Sequence, residues 1–563
     1  MLWPLEADNI SRGIIERFRF STIAEVHIGA IGDWLNVPKE LFQCSITRVF
    51  PGGSSGVRKT KGNPVSLTNQ KEEIAEVLFH LFLTASVKTW ILAVMIVGFP
   101  GLWGCNGLPA ETARGVEGVP REEQQPPSTE PNRALLGEAR PEGLSHLASL
   151  AGTEQVGTDP APGEVGLVSS PEPGWPQWRG KRRDGISEET GLLSHWPAAG
   201  PRLLWSVSNL GKGWASPIVV NDRIYVPGDI DRDLVLFAFD TSGKLLWQAK
   251  NGEAWLGSYP GCRASCVYSE GFLYHCNAHG RVVCLDATSG RELWAINMLE
   301  LFEGREITWG ISECLLVDGE QLFITPAGRK GLMASLDKKT GKVLWVTPPI
   351  AADDFVSHSS PILFRWGGRR IITNCSAAYG FGVDADTGEL LWAVPVRNQF
   401  DTNVSTPIFG DGRVFYVTPY THLGRQYRLV FHDGKVRAEQ VWTHPVDTVT
   451  GSGILVNGTL WIGGYRRPKW WFAIDWQTGQ TLAETKQLTT GAAIYADGRL
   501  YVLDETGKVA LIDPSHNRFD IVGEFQLPVG KVRDAWAHPV ICDGRLYLRH
   551  HQSLWCYDIR RSE

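Results

Sequence analysis

Asp534 and His538 stand four residues apart in "RDAWAHPV". A carboxylate and an imidazole can pass a proton between them, so the two are a candidate acid–base pair. No nucleophile or metal cluster accompanies them in the sequence, and alone they define no reaction. Other residues able to contact a ligand are Trp214, Arg263, Trp309, His358, Asn403, Thr450, Thr490, Arg533 and Trp536. Each of these residues lies just before an apolar phrase. Arg, Asp, His and Trp gathered at one opening would suit a peptide, a sugar or a small ligand. Solvated loops with aromatic packing would use the same residue types.

The ten cysteines include no CxxC, CxxCH or vicinal pair, which argues against metal fingers and c-type haem attachment. Cys276 and Cys284 flank the tight hairpin "NAHGRVV". In an exported protein they could form a disulfide, and buried free thiols are the alternative. Cys262 with Cys266, and Cys542 with Cys556, raise the same question. A formal net charge of −6 argues against nucleic acid as a partner.

These residues need elements to position them, and the elements repeat. One phrase is an apolar strand, a turn and a second strand, as in "SPIVVNDRIYV" (216–226), "SPILFRWGGRRIIT" (360–373) and "GAAIYADGRLYVL" (491–503). It recurs eight times, 40 to 49 residues apart. A second phrase follows each copy, as in "LFAFDTSGKLLW" (236–247), "VVCLDATSGRELW" (282–294) and "MASLDKKTGKVLW" (333–345). The apolar alternation has period two, so these are strands. Asp-Gly, Asn-Gly and Thr-Gly supply the residues that accept positive φ at hairpin turns.

Four strands per unit at a period near 45 predict an all-β chain, an eight-bladed β-propeller of four-stranded antiparallel blades. The eighth unit lacks a fourth strand, and "PRLLWSV" (201–207) is expected to supply it and close the ring. The candidate residues above then line the mouth of the central channel. A monomer is expected.

The motif "AFDTSGKLLW" resembles the pyrroloquinoline quinone (PQQ) repeat. The entry "WPQWRGKRRDGISEETGLLSHW" (175–196), with "GKGWASPIVV" (211–220), resembles PQQ-like, BamB-like propellers of bacterial envelopes. The resemblance covers 175–563 and is strongest in blades one to four. It implies that the tryptophan ending each last strand docks between blades, which gives Trp205, Trp247, Trp294, Trp345, Trp392 and Trp442 structural roles. Blade six has Leu482 or Ala483 at that place and blade seven has Phe525, so the ring of docking tryptophans is expected to be incomplete. The family also contains alcohol and glucose dehydrogenases that hold PQQ beside calcium or a lanthanide, with acidic and amide ligands and a catalytic Asp. Members without those features bind no quinone and act as scaffolds. The resemblance thus implies an exported binding scaffold without a cofactor, with envelope proteins or a channel-mouth ligand as partners. Its alternative is a PQQ- and calcium-dependent oxidoreductase of alcohols or sugars.

The N-terminal part reads differently. Residues 87–105, "VKTWILAVMIVGFPGLWGC", carry an apolar run too short for a usual span of about 20 residues but suited to a secretory signal. It ends in Leu102-Trp103-Gly104-Cys105, which resembles a lipobox and makes Cys105 a candidate lipidation site anchoring the protein to a membrane. Residues 1–86 show no repeat, and translation from Val87 is the expectation. Residues 106–174 lack Phe and Tyr and are rich in Pro and acidic residues, as expected of a disordered tether.

Overall fold

The computed structural model describes residues 164–420, 423–465 and 469–561. Each pair of phrases becomes one four-stranded antiparallel sheet. The sheets span 218–253, 267–297, 316–347, 362–395, 408–444, 454–485, 491–526, and 540–558 with 202–207. They are blades one to eight of a β-propeller. The "DGRLYV" type of phrase turns as expected: Asn221-Asp222, Asp411-Gly412, Asn457-Gly458, Asp497-Gly498 and Asp543-Gly544 all have positive φ at both positions. This is the backbone of a two-residue hairpin whose twist matches its strands.

Middle strands such as Arg281–Asp286 and Lys508–Asp513 are buried on both faces, because a neighbouring blade covers each side. This explains their continuous apolar runs. The outer strands, such as Val343–Thr347, keep an exposed face. The core is accordingly a series of seams. Ile218, Tyr225 and Leu236 of blade one, for example, share a cluster with Cys266, Leu273 and Val283 of blade two. Closure occurs where expected: Arg202–Val207 pairs with Ser553–Asp558, and Arg202 Nη2 meets Asp558 Oδ2 at 2.7 Å.

Every outer strand carries a register shift, and except in blade seven, where it falls at Val522 ahead of Gly523, it sits at the residue before the docking position. In blade two it falls between Glu292 and Trp294, and in blade eight between Leu203 and Trp205. A bulge re-aims the following side chain. Here it sends the indole across the seam, where the N–H donates to a carbonyl of the next blade: Trp205 to Thr241, Trp247 to Ala287, Trp294 to Lys338, Trp345 to Ala385 and Trp442 to Trp476. Each ring lies over the glycine of the next blade's last turn, respectively Gly243, Gly290, Gly341, Gly388 and Gly479. Phe525 takes the same place over Gly200. The turn of blade eight is split between the two ends of the described chain and still presents a glycine.

Trp392 is the exception. Its ring lies over Gly382 of its own blade, and its N–H donates to Tyr416 Oη at 3.0 Å. Blade five joins its last two strands through "FHDGKV", without the Ser-Gly or Thr-Gly turn that the other tryptophans cover. Blade six, with Leu482-Ala483, faces the turn Pro514–Asn517, which has no glycine.

Two expectations need correction. The end of the expected tether is part of the fold: Gly166 and Leu167 pair with Arg365 and Phe364 of blade four, and Leu167 packs into the core. Cys276 and Cys284 do not face each other, because Cys276 opposes Val282 and Cys284 opposes Tyr274. Both are buried free thiols, as are Cys262, Cys266, Cys542 and Cys556. Cys105, the signal-like segment 87–105 and residues 1–86 lie outside the described residues. Among the described residues no helix is long and apolar enough to cross a membrane.

Candidate functional site

The inner strands begin with small hydroxyl residues, and these join neighbouring blades into a belt. Ser265 Oγ donates to Ser216 O, Ser359 Oγ to Ser405 O, and Ser405 Oγ to Gly451 O. Cys314 N donates to Ser360 Oγ, Thr406 N to Ser452 Oγ, and His538 N to Ser216 Oγ. The recurrent "SPI" and "STPI" phrases were a sequence signal for this belt.

The arm 175–187 crosses the channel below the belt. Trp175 bridges Val219 of blade one, and Ile186 bridges Tyr495 of blade seven. Between them, the Arg183 guanidinium donates to Cys314 O and Leu315 O at the entry of blade three. Arg179 donates to Ser452 O and Gly453 O at the entry of blade six. Both arginines are buried, at 3% and 2% exposure for Arg179 and Arg183, and burial pulls their pKa values down to about 10. They stay charged at neutral pH because carbonyl oxygens replace their water.

Above the arm, the channel mouth is a cavity of about 330 Å³. Its floor is Trp178 with buried His358, Ser360, Cys314, Ser452 and His538. Trp178 Nε1 donates to Thr406 Oγ1, and its ring lies 4.3 Å from that of His538. The wall is aromatic. Trp214 stacks on Trp536 at 5.3 Å, and Tyr259 approaches Trp536 at 5.6 Å. On the other side Trp309, Phe400, Tyr420 and Tyr465 follow one another edge to face. The lip is open to water: Tyr259 is 57% and Phe400 46% exposed. Burial holds His358 down at about 3 and His538 well below the usual imidazole range, so both rings are neutral at physiological pH.

A family model described as outer membrane protein assembly factor BamB matches residues 232–485. The BamB of Yersinia pestis is 23% identical over 243 residues, which is 39% of this chain and 57% of that protein. The chain carries a PQQ-type, BamB-like β-propeller. The chain also aligns with quinohemoprotein alcohol dehydrogenase ADH IIB of Pseudomonas putida, 29% identical over 237 residues, 38% of this chain and 31% of the relative. The chain thus spans about a third of that dehydrogenase and just over half of that BamB. The crystal structure of BamB from Moraxella catarrhalis superposes with a TM-score of 0.44 at 13% identity, covering 65% of this chain and 99% of that one.

In this BamB-like propeller the expected mouth residues divide into two groups. Trp214, Arg263, Trp309, His358, Thr450, Trp536 and His538 line the cup. Arg263 is there to hold the lip: its guanidinium donates to the carbonyls of Ser258, Tyr259 and Gly261 and lies over Trp214 and Trp255. Asn403 sits behind the wall, donating to Ser376 O and Ala377 O. Thr490 is buried against Thr450. Arg533 is exposed and lies off the lining.

Asp534 and His538 do not form the expected pair. His538 points to Thr450 O, while the Asp534 carboxylate meets His550 Nε2 at 3.0 Å and His551 Nε2 at 2.7 Å. These two contacts hold its pKa far below the usual carboxylate range. Sequence reasoning missed Trp178, Tyr259, Phe400, Tyr420 and Tyr465, because they come from the arm and from loops outside the repeated phrases.

Proposed function

We propose that this protein is a binding scaffold of the cell envelope whose working surface is the aromatic cup. The observation that carries the reading is the composition of the lining. It offers indole, phenol and phenyl faces above hydroxyl groups and neutral imidazoles, and among its described residues it has no carboxylate and no side-chain amide. Such a surface stacks on flat or apolar groups and hydrogen-bonds their polar edges. A neutral ligand fits it: a sugar, a small molecule or a side chain presented by a peptide. The BamB relatives support envelope proteins as the source of such a peptide. The signal-like segment 87–105 and Cys105 support export and a membrane tether.

The dehydrogenase relatives favour a second reading, a PQQ-dependent oxidoreductase. Calcium beside a quinone needs several oxygen ligands, carboxylates above all. The described lining residues supply none, and Asp447 behind the Tyr420–Tyr465 wall is engaged by the backbone N–H groups of both tyrosines. Arg263, the single cation among the described lining residues, is committed to loop carbonyls. The cup does not fit a calcium-bound quinone.

Two experiments separate the readings. Capture from solubilised envelope should retain a partner on the intact protein and lose it on the Trp309→Ala/Phe400→Ala variant. Equal capture by both would remove the cup from the function. Titration with PQQ and calcium should give no quinone absorbance and no dye-linked activity, and saturable binding with turnover would establish the oxidoreductase.

A further inference from the structure

We propose that Asp534, His550 and His551 form a binding site for a divalent transition-metal ion beside the Trp214–Trp536 side of the cup. Consecutive residues of a strand point to opposite faces, so two adjacent histidines ordinarily cannot serve one ligand. Here they do. His550 ends the strand Arg545–His550, and His551 opens the hairpin turn with φ +45°. Histidine, like Asn and Asp, is among the non-glycine residues that accept that φ, and other hairpins of this chain place Asp231, Asp411 or Asn457 there. The turn swings the second imidazole round, so that both Nε2 atoms reach the two oxygens of Asp534, with ring centroids 4.6 Å apart. The donor atoms of the three residues lie within 4.8 Å of one another, and no other His/Cys/Asp/Glu cluster among the described residues does this.

The surroundings hold the cluster in place. Arg549, fully buried, donates from Nε to His551 O and from Nη1 to Ala215 O, which fixes the turn to blade one. The carbonyl of Asp534 accepts the Trp214 indole N–H and the Trp536 backbone N–H. His551 Nδ1 is buried without a partner, so the ring is held by its Nε2 contact and by Trp214 at 5.3 Å. A metal bond would replace that hold with a stronger one. Two imidazole nitrogens and one carboxylate oxygen are a borderline donor set, which suits Zn²⁺, Ni²⁺ or Cu²⁺ better than Ca²⁺ or Mg²⁺. Bond lengths near 2.0 Å require the side chains to close in by about 1 Å. Three protein ligands leave a position for water. Because Trp214 touches both His551 and Asp534, occupancy would stiffen that side of the lip. The inference is independent of what the cup binds.

The test uses the full chain, chelator-treated and free of affinity histidines, titrated with Zn²⁺ by calorimetry and with Co²⁺ by visible absorption. One saturable equivalent per chain is expected, with the d–d bands of nitrogen- and oxygen-bound Co²⁺ and a change in tryptophan emission. Glutamine at either histidine can still hydrogen-bond Asp534 but is a poor ligand, so His550→Gln and His551→Gln should retain the fold and bind at least about tenfold more weakly. Unchanged affinity in the double variant overturns the site. Should that variant fail to fold, the wild-type cobalt spectrum decides, since the lack of a one-equivalent d–d signal overturns the site as well.

Discussion

The seam between blades three and four and the seam between blades four and five start from the same outer-strand tryptophan and use it in opposite ways. Trp345 crosses its seam, covers Gly388 and donates to Ala385 O. Trp392 stays over its own blade and donates to Tyr416 Oη, a side chain of the next one. The difference lies in the partner. Blade four offers a Thr-Gly turn under Trp345, whereas blade five offers a two-residue Asp-Gly hairpin whose Gly434 has nothing above it. Docking is therefore a property of the pair. The seam between blades six and seven has lost both members, with Leu482-Ala483 facing a turn without glycine. The seam between blades seven and eight keeps both in altered form, Phe525 over Gly200.

The largest effect should come from breaking the regular seam outright. Trp345→Ala removes an indole and its packing from the seam, while Ala385 O keeps the Gln321 amide as a donor; the cavity costs about 4 kcal/mol. Chemical denaturation should show it as a lower midpoint. A loss below about 1 kcal/mol would mean that the glycine, and not the indole, closes the seam.

The same seam titrates. At its inner end Glu313 is buried, accepts from Thr325 N and Oγ1, and receives Asn374 Nδ2 of blade four. Burial pushes its pKa up from 4.5 to about 7 in spite of Arg183 nearby. The native state therefore keeps a proton that the unfolded chain releases above about pH 4.5. Stability at this seam is complete below that value and falls as pH rises towards 7, by about 3 kcal/mol in all. In Glu313→Gln, unfolding midpoints measured between pH 5 and pH 8 (a range set by that window) should lose this slope. A wild type and variant that change in parallel with pH would assign the slope elsewhere. The neighbouring seam, built on Thr373, Tyr416 and Trp392, has no such step.

The two turn glycines compare the seams most directly. Gly388 has φ +78°, and a Cβ there would lie 2.7 Å from the Trp345 ring; Gly434 has φ +72° and open space. Gly388→Ala should cost about 3 kcal/mol, the backbone penalty plus overpacking, and Gly434→Ala only the backbone part, about 1 kcal/mol. Equal losses would refute the role given to the ring.

The seams were legible in the sequence because they are local and repeated. Period-two runs, a turn glycine and a terminal tryptophan recur within each unit, and even the gaps at Leu482 and Phe525 could be read. The diversion of Trp392 was not legible, since it depends on one hydroxyl in the following blade. The cup was half legible. Residues just before the inner strands fell on its wall, but Tyr259, Phe400, Tyr420 and Tyr465 belong to loops that follow no repeat. The arm was recognised as a motif and not as a plug, because its contacts join residues 131 and 274 positions apart, Arg183 with Cys314 and Arg179 with Gly453. The His550–His551 pair was passed over since strand geometry alone would send the two rings to opposite faces.

The smallest effect isolates the exceptional seam. Tyr416 Oη accepts from Trp392 Nε1 at 3.0 Å and shares a hydrogen bond of 2.6 Å with Thr373 Oγ1, which can turn to Phe381 O at 2.7 Å. In Tyr416→Phe the threonine therefore keeps a partner and the buried indole N–H loses its own. One orphaned donor costs about 2 kcal/mol. If that orphan is the cause, Trp392→Phe should do little further harm in the Tyr416→Phe background, because it removes the unpaired group along with part of the packing. The two losses would then fall short of additivity by about 1 kcal/mol in a double-mutant cycle. Strict additivity would mean that the two side chains act separately, and that the blade four–five seam is held by packing alone.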